Sequence, residues 1–330
     1  MIFFSKKRKK ILILWYTYQK NLGDYYLFKT VQSYAKLWGY DVCGMDIGEP
    51  YEKIAKASKK FDYLWFAGGG IIERGVPDII RNFPLFYEKT NHILYGVTGL
   101  SVGNFDYTYY STQISSWVQN SSFFYARDDY TADLLNSMSK IQKVLPSADV
   151  VFAYKDFEIY KASCQKLFGA NFRSMPYPDL TGEINWSQWN NMINETVFDE
   201  IIGIPDQLDV SQHFSFNFES KYSPQKVVNI ISQIDYGIAM RYHVILIAAM
   251  MGKVCIPIDY CPKVTRLAEQ LGISDLVLHY NEANKFKNIF MLYSQNEDHY
   301  KKIVETNVQL LKLKALEMFK TVESIIKQQI

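Results

Sequence analysis

Ala239-Met240-Arg241-Tyr242-His243, continuing into Val244-Ile245-Leu246-Ile247-Ala248-Ala249-Met250-Met251-Gly252, sets a strand pattern directly before a helix pattern. The short apolar run Asp235–Met240 has the length of a buried strand. Residues 243–251 have the length and composition of a helix, with Gly252 as its stop. Arg241 and His243 therefore sit at a strand-to-helix turn. In an open α/β sheet that turn faces the crevice where ligands bind, and the backbone N–H groups opening the helix favour an anion. The guanidinium adds a planar fork for a carboxylate or phosphate, and the imidazole can exchange a proton near neutrality. An Arg-x-His pair taken alone is as compatible with a structural role, so the surrounding chain has to decide.

Working outward, strand and helix patterns alternate. Residues 11–16 read as a strand, and a loop follows to Gly23. Asp24 then stands as the expected cap of a helix through Leu37. Further strands are predicted near Tyr40–Ile47, Tyr63–Ala67, His92–Val97 and Ser122–Ala126, with helices over Glu52–Lys60 and Ser111–Gln119 between them. Gly68-Gly69-Gly70 directly follows a strand, where glycine lets the backbone approach a ligand or a neighbouring loop. It is not a dinucleotide fingerprint. Arg127, ahead of Asp128-Asp129, repeats the placement of Arg241, with a salt bridge to a nearby Asp as the competing role.

Val144–Phe152 closes a first βα domain, and the patterns weaken from Tyr154 to about Gly182. The boundary is placed near residue 155, giving domains 1–155 and 156–330. The second half resumes with a strand at Glu200–Pro205, a helix at Pro224–Ile234, the Arg241 stretch and Lys253–Ile258. A helix with Pro262 near its start follows, and an amphipathic helical tail runs from Glu297 to Gln329.

Composition sets bounds. The chain has 330 residues, 48% of them hydrophobic, enough for two domains with full cores. Lys plus Arg number 36 against 34 Asp plus Glu, so no overall field attracts nucleic acid. Cys43, Cys164, Cys255 and Cys261 lack metal spacing and read as the reduced thiols of a cytoplasmic protein. The basic run Lys6-Lys7-Arg8-Lys9-Lys10 reads as a solvated lead-in, with peripheral contact to an anionic membrane face as the alternative. No stretch is long and apolar enough to span a membrane.

An ordered set of segments then carries a resemblance. Asn21-Leu22-Gly23-Asp24, Gly68-Gly69-Gly70, Tyr95-Gly96-Val97, Arg127-Asp128, Met240-Arg241-Tyr242-His243 and Tyr260-Cys261-Pro262-Lys263-Val264 together resemble the polysaccharide pyruvyl transferase family over most of residues 11–272. Arg241 and His243 match that family's Arg-Leu-His motif, with Tyr242 in the Leu position. Arg127 matches its Arg-Asp motif, and Asp149-Val150-Val151-Phe152 stands where the family has an Asp-Pro-Ala-Phe-like segment.

The resemblance implies an α/β fold of two Rossmann-like domains facing across a cleft, GT-B-like, and the placement of Arg127 and Arg241 at strand ends predicts that both open on that cleft. It implies transfer of pyruvate from phosphoenolpyruvate to a sugar of a cell-surface polysaccharide or its lipid-linked precursor. On this reading His243, Arg241 and Arg127 form the catalytic set, and Asn21, Gly23, Asp24, Gly68, Gly69, Gly70, Tyr242 and Lys263 contact substrate. No metal and no cofactor are expected beyond the donor, and homo-oligomerisation is left open. A nucleotide-sugar glycosyltransferase of the same architecture, with Lys263 on the diphosphate, and an inactive glycan-binding or assembly protein are the alternatives.

Overall fold

A computed structural model of the chain describes residues 8–17, 21–73, 75–103, 106–157, 166–173, 184–196, 198–205, 210–218 and 222–330. Cys164, the lysines at 6 and 7, and part of the loop expected before Gly23 lie outside the described residues. The chain divides into two compact units, one built on Asp24–Tyr154 and the other on Lys155–Leu310.

The first unit carries a parallel sheet of β1 (Lys10–Trp15), β2 (Asp41–Asp46), β3 (Tyr63–Phe66), β4 (Gly69–Ile72), β5 (Tyr95–Val102), β6 (Phe123–Ala126) and β7 (Leu145–Pro146). The order is β2-β1-β3-β5-β6-β7, with β4 paired to β5. Parallel neighbours need crossovers, which here are α1 (Leu22–Leu37), α2 (Tyr51–Ser58), α3 (Asp78–Arg81), α4 (Phe83–Lys89), α5 (Ser111–Asn120) and α6 (Asp129–Ser139). β3, β5 and β6 are buried at every position, as strands covered on both faces must be.

Two local expectations are corrected. α1 begins at Leu22, and the Asn21 carboxamide, not Asp24, caps it by accepting from the Gly23 amide at 2.9 Å. β5 does not stop at Val97. It runs through Gly99, whose φ of +64° absorbs a register shift between Val97 and Leu100 and so makes a bulge instead of a break.

The glycine run has a structural reason within this sheet. Gly68 has φ +85°, and a Cβ added there would lie 1.9 Å from the Thr98 carbonyl oxygen on β5. Gly69 has φ +75° and opens β4. Gly68→Ala should therefore destabilise the protein by about 2 kcal/mol or more, from left-handed strain plus overpacking. Urea unfolding would measure it, and an unchanged midpoint would mean that the strand crossing tolerates a side chain.

The second unit carries β8 (Leu167–Asn171), β9 (Glu200–Gly203), β10 (Asn217–Phe218), β11 (Tyr236–Ala239), β12 (Cys255–Asp259) and β13 (Leu278–His279). They pair in parallel in the order β10-β9-β8-β11-β12-β13. Its helices are α7 (Trp186–Asn194), α8 (Pro224–Gln233), α9 (Tyr242–Met250), α10 (Pro262–Leu271), α11 (Phe286–Gln295) and the start of α12 (Glu297–Gln329). α9 is buried from Val244 to Ala249, so its all-round apolar sequence reflects a helix covered on every side. Gly252, φ +73°, ends it as expected.

The last twenty residues, 311–330, group with the first unit, whereas the division at 155 assigned everything beyond it to the second. The cause is aromatic. Phe319 stacks on Tyr34 at 4.0 Å and meets the edge of Trp38, which itself stacks on Trp65. Without Phe319, Val322 and Ile326, all at most 1% exposed, the apolar residues on that side of the first sheet would face water.

Candidate functional site

The carboxyl edge of each parallel sheet is where ligands are expected, and the two edges differ in charge. In the first unit Tyr16 follows β1 and donates to the Ile71 carbonyl at 3.1 Å. Burial, then Asp24, Asp46 and Glu73, push its phenol up to about 12. Asp46, at the end of β2, accepts from the amide and hydroxyl of Thr17 and from the Gly48 amide. Asp46 thereby holds the turns after β1 and β2, and the acidic groups around Tyr16 favour its neutral phenol.

Arg127 follows β6 on this same edge and is 2% exposed. Its Nη2 lies 3.2 Å from Glu73 Oε1 and 2.7 Å from the Ser101 hydroxyl, and its Nη1 lies 3.4 Å from Asp149 Oδ2. Asp149 is fully buried and also accepts from the Val151 amide. The neighbouring Asp128 accepts from the Thr131 amide as the cap of α6. The guanidinium is thus held between two carboxylates from distant parts of the sequence.

In the second unit Arg241 is the residue before α9, with Tyr242 and His243 in its first turn. Asn171, at the end of β8 and fully buried, sets this turn. Its Oδ1 accepts from the Arg241 amide at 3.1 Å, its carbonyl accepts from Met240, and its Nδ2 donates to Ile204 beyond β9. Tyr242 is 4% exposed, with its ring 4.9 Å from and nearly perpendicular to the imidazole of His243. Gly23, which groups with this unit, runs so close to His243 that an added Cβ would lie 2.0 Å from its Nδ1.

Lys263 is the second residue of α10 on the next strand over, after Pro262 at the first position. Asp259 closes β12 and accepts from the Cys261 amide at 3.0 Å, and burial raises its carboxyl above the ordinary range. Arg173, two residues beyond β8, is 5% exposed and reaches the Tyr260 hydroxyl at 3.4 Å. The edge of the second sheet therefore gathers Arg173, Arg241, His243 and Lys263 with the amino ends of α9 and α10. Those are the parts an anion needs.

The structure brings Gly23, Arg241, Tyr242, His243 and Lys263 onto this one unit and sets Arg127, Asp24 and Gly68 to Gly70 in the other. Asn171 and Arg173 were missed because the surrounding segment reads weakly. The signal was present: Leu167–Asn171 is a short apolar run followed by an arginine, the pattern that marked Arg127 and Arg241. Among the described residues no cluster of three or more His, Cys, Asp or Glu could hold a metal ion. Among them also, no helix is long and apolar enough to cross a membrane.

A sequence profile described as Polysaccharide pyruvyl transferase matches residues 21–262. No curated protein matches the chain significantly. Among solved structures, a putative UDP-N-acetylglucosamine 2-epimerase from Listeria monocytogenes superposes with a TM-score of 0.64 at 9% identity, covering 97% of both chains. The UDP-GlcNAc 2-epimerase of Neisseria meningitidis gives 0.58 at 12% identity over 93% of this chain and 100% of its own. An alpha-glucosyltransferase in complex with UDP gives 0.52 at 10% identity over 96% and 99%. These similarities place the chain in the GT-B-like class of two Rossmann-like domains.

Proposed function

The chain belongs to the polysaccharide pyruvyl transferase family, and on that premise we propose that it moves a pyruvyl group from phosphoenolpyruvate onto a sugar of a cell-surface polysaccharide or its lipid-linked precursor, closing a ketal. The observation that carries this reading is the cationic edge of the second sheet, where Arg241 and His243 open α9 and Lys263 opens α10.

The chemistry divides among these groups. The donor's phosphate sits at the amino end of α9 with the Arg241 fork beside it, which neutralises charge where it concentrates. A proton delivered to the methylene carbon turns it into a methyl group and leaves C2 electrophilic. One sugar hydroxyl adds to C2 and gives up its proton. A second hydroxyl then displaces phosphate from the same carbon, and its proton leaves with the phosphate. His243, in reach of neutral-pH proton exchange, serves as the acid of the first step. The reaction calls for no cofactor beyond the donor. We place the enzyme in the cytoplasm, with its membrane face, where a lipid-linked acceptor is presented, as the alternative.

Thermal unfolding with phosphoenolpyruvate or nucleotide sugars tests the reading. A donor at about 100 times its dissociation constant should add about 2.7 kcal/mol of stability. Stabilisation by nucleotide sugars and none by phosphoenolpyruvate would favour a glycosyltransferase, and stabilisation by neither a glycan-binding protein. Arg241→Lys keeps the charge but loses the fork. It should weaken phosphoenolpyruvate binding by calorimetry with little change in folding. Equal affinity in the two proteins would leave Arg241 as a purely structural residue.

A further inference from the structure

Arg173 follows β8 and Tyr260 follows β12, and β11 lies between those two strands. The Arg173 guanidinium nevertheless meets Tyr260, with Nη1 3.4 Å from the hydroxyl and Cζ 5.8 Å from the ring centroid. Neighbouring strands stand roughly 4.8 Å apart, so the contact bridges two such spacings and passes over the carboxyl end of β11. That is the end from which Arg241 starts α9. The register agrees, because Asn171 pairs with Ala239, and Arg173 and Arg241 each lie two residues beyond that pair. Arg173 and Tyr260 are both buried, at 5% and 4% exposure, so the guanidinium is held in place over this turn and does not sweep through solvent.

We propose that Arg173 is the second cationic arm of the donor site, forking the carboxylate of phosphoenolpyruvate while Arg241 and the amino end of α9 hold its phosphate. The inference rests on the donor reading above. A phosphate suits a helix amino end, and a planar carboxylate suits a guanidinium fork. Arms that rise from adjacent strands roughly 4.8 Å apart match the two anionic ends of a three-carbon ligand. Arg173 thereby makes the site selective for a donor with two anionic ends over a simple phosphate monoester. Tyr260 is its positioning residue.

Calorimetry on the full chain with two probes tests this: phosphoenolpyruvate, and propyl phosphate, which has the phosphate and no carboxylate. Wild type should prefer phosphoenolpyruvate by about tenfold or more, the scale of a charge-assisted bidentate pair. Arg173→Gln should remove most of that preference while leaving propyl phosphate affinity within about twofold, since the phosphate contacts are untouched. Tyr260→Phe keeps both the charge and the buried ring and should erode the preference several-fold, so it decides the matter if the glutamine variant does not fold. A preference that survives unchanged in Arg173→Gln, or in Tyr260→Phe where the glutamine variant does not fold, overturns the role of Arg173 and leaves the donor reading standing. A wild-type protein that binds neither probe overturns the donor reading, and this inference with it.

Discussion

Arg127→Met is expected to lower the free energy of unfolding by about 3–5 kcal/mol, the cost of removing one partner from a buried ionic cluster. The guanidinium lies between Glu73 and Asp149, the latter fully buried, and is bonded to the Ser101 hydroxyl. Methionine fills much of the same volume, so the loss would come from two carboxylates left in a low-dielectric interior and not from a cavity. The cluster also joins the end of β6 to the segments after β4 and β7, so its loss should loosen the carboxyl edge of the first sheet. Urea unfolding reads this directly. A near-normal midpoint together with lost phosphoenolpyruvate binding would show Arg127 to be a ligand residue, the other role its sequence position allows.

His243→Asn should bind phosphoenolpyruvate within a few-fold of wild type yet transfer pyruvate slower by about two orders of magnitude or more, the range attributable to one general acid. Asparagine keeps a hydrogen-bonding arm and most of the volume, which matters because Gly23 abuts the ring. A donor carrying several negative charges beside the imidazole favours its protonated form. Donor binding to wild type should therefore take up protons near neutral pH, and binding to the variant should take up fewer. Comparing calorimetric enthalpies in buffers of different ionisation heat measures this uptake. Transfer by His243→Asn at close to the wild-type rate would make the histidine structural. The half-buried carboxyl of Asp259 on the same edge, raised above its ordinary range, would then be the next candidate acid.

The alternating strands and helices, the strand-to-helix turn at Arg241 and His243, the stop at Gly252 and the span of the final helix are all legible in the sequence. Each rests on a local signal: a buried strand is a short apolar run, a buried helix is apolar all round, and glycine after the last turn adopts a left-handed backbone at no steric cost. The partners of three similar arginines are visible only in the tertiary structure. Arg127, Arg173 and Arg241 each follow a short apolar strand, and the residues beside them, Asp128 after Arg127 and His243 after Arg241, do not disclose which distant groups they meet. Their contacts are with residues far along the chain, Glu73 and Asp149 for Arg127, Tyr260 for Arg173, and Asn171 for the backbone of Arg241. The same holds for Gly68 and for Phe319, whose neighbours Thr98 and Tyr34 come from other strands and helices. Sheet order and packing bring such partners together, and a short window of sequence records the propensity of a segment but not the neighbours that neutralise its charge or cover its surface.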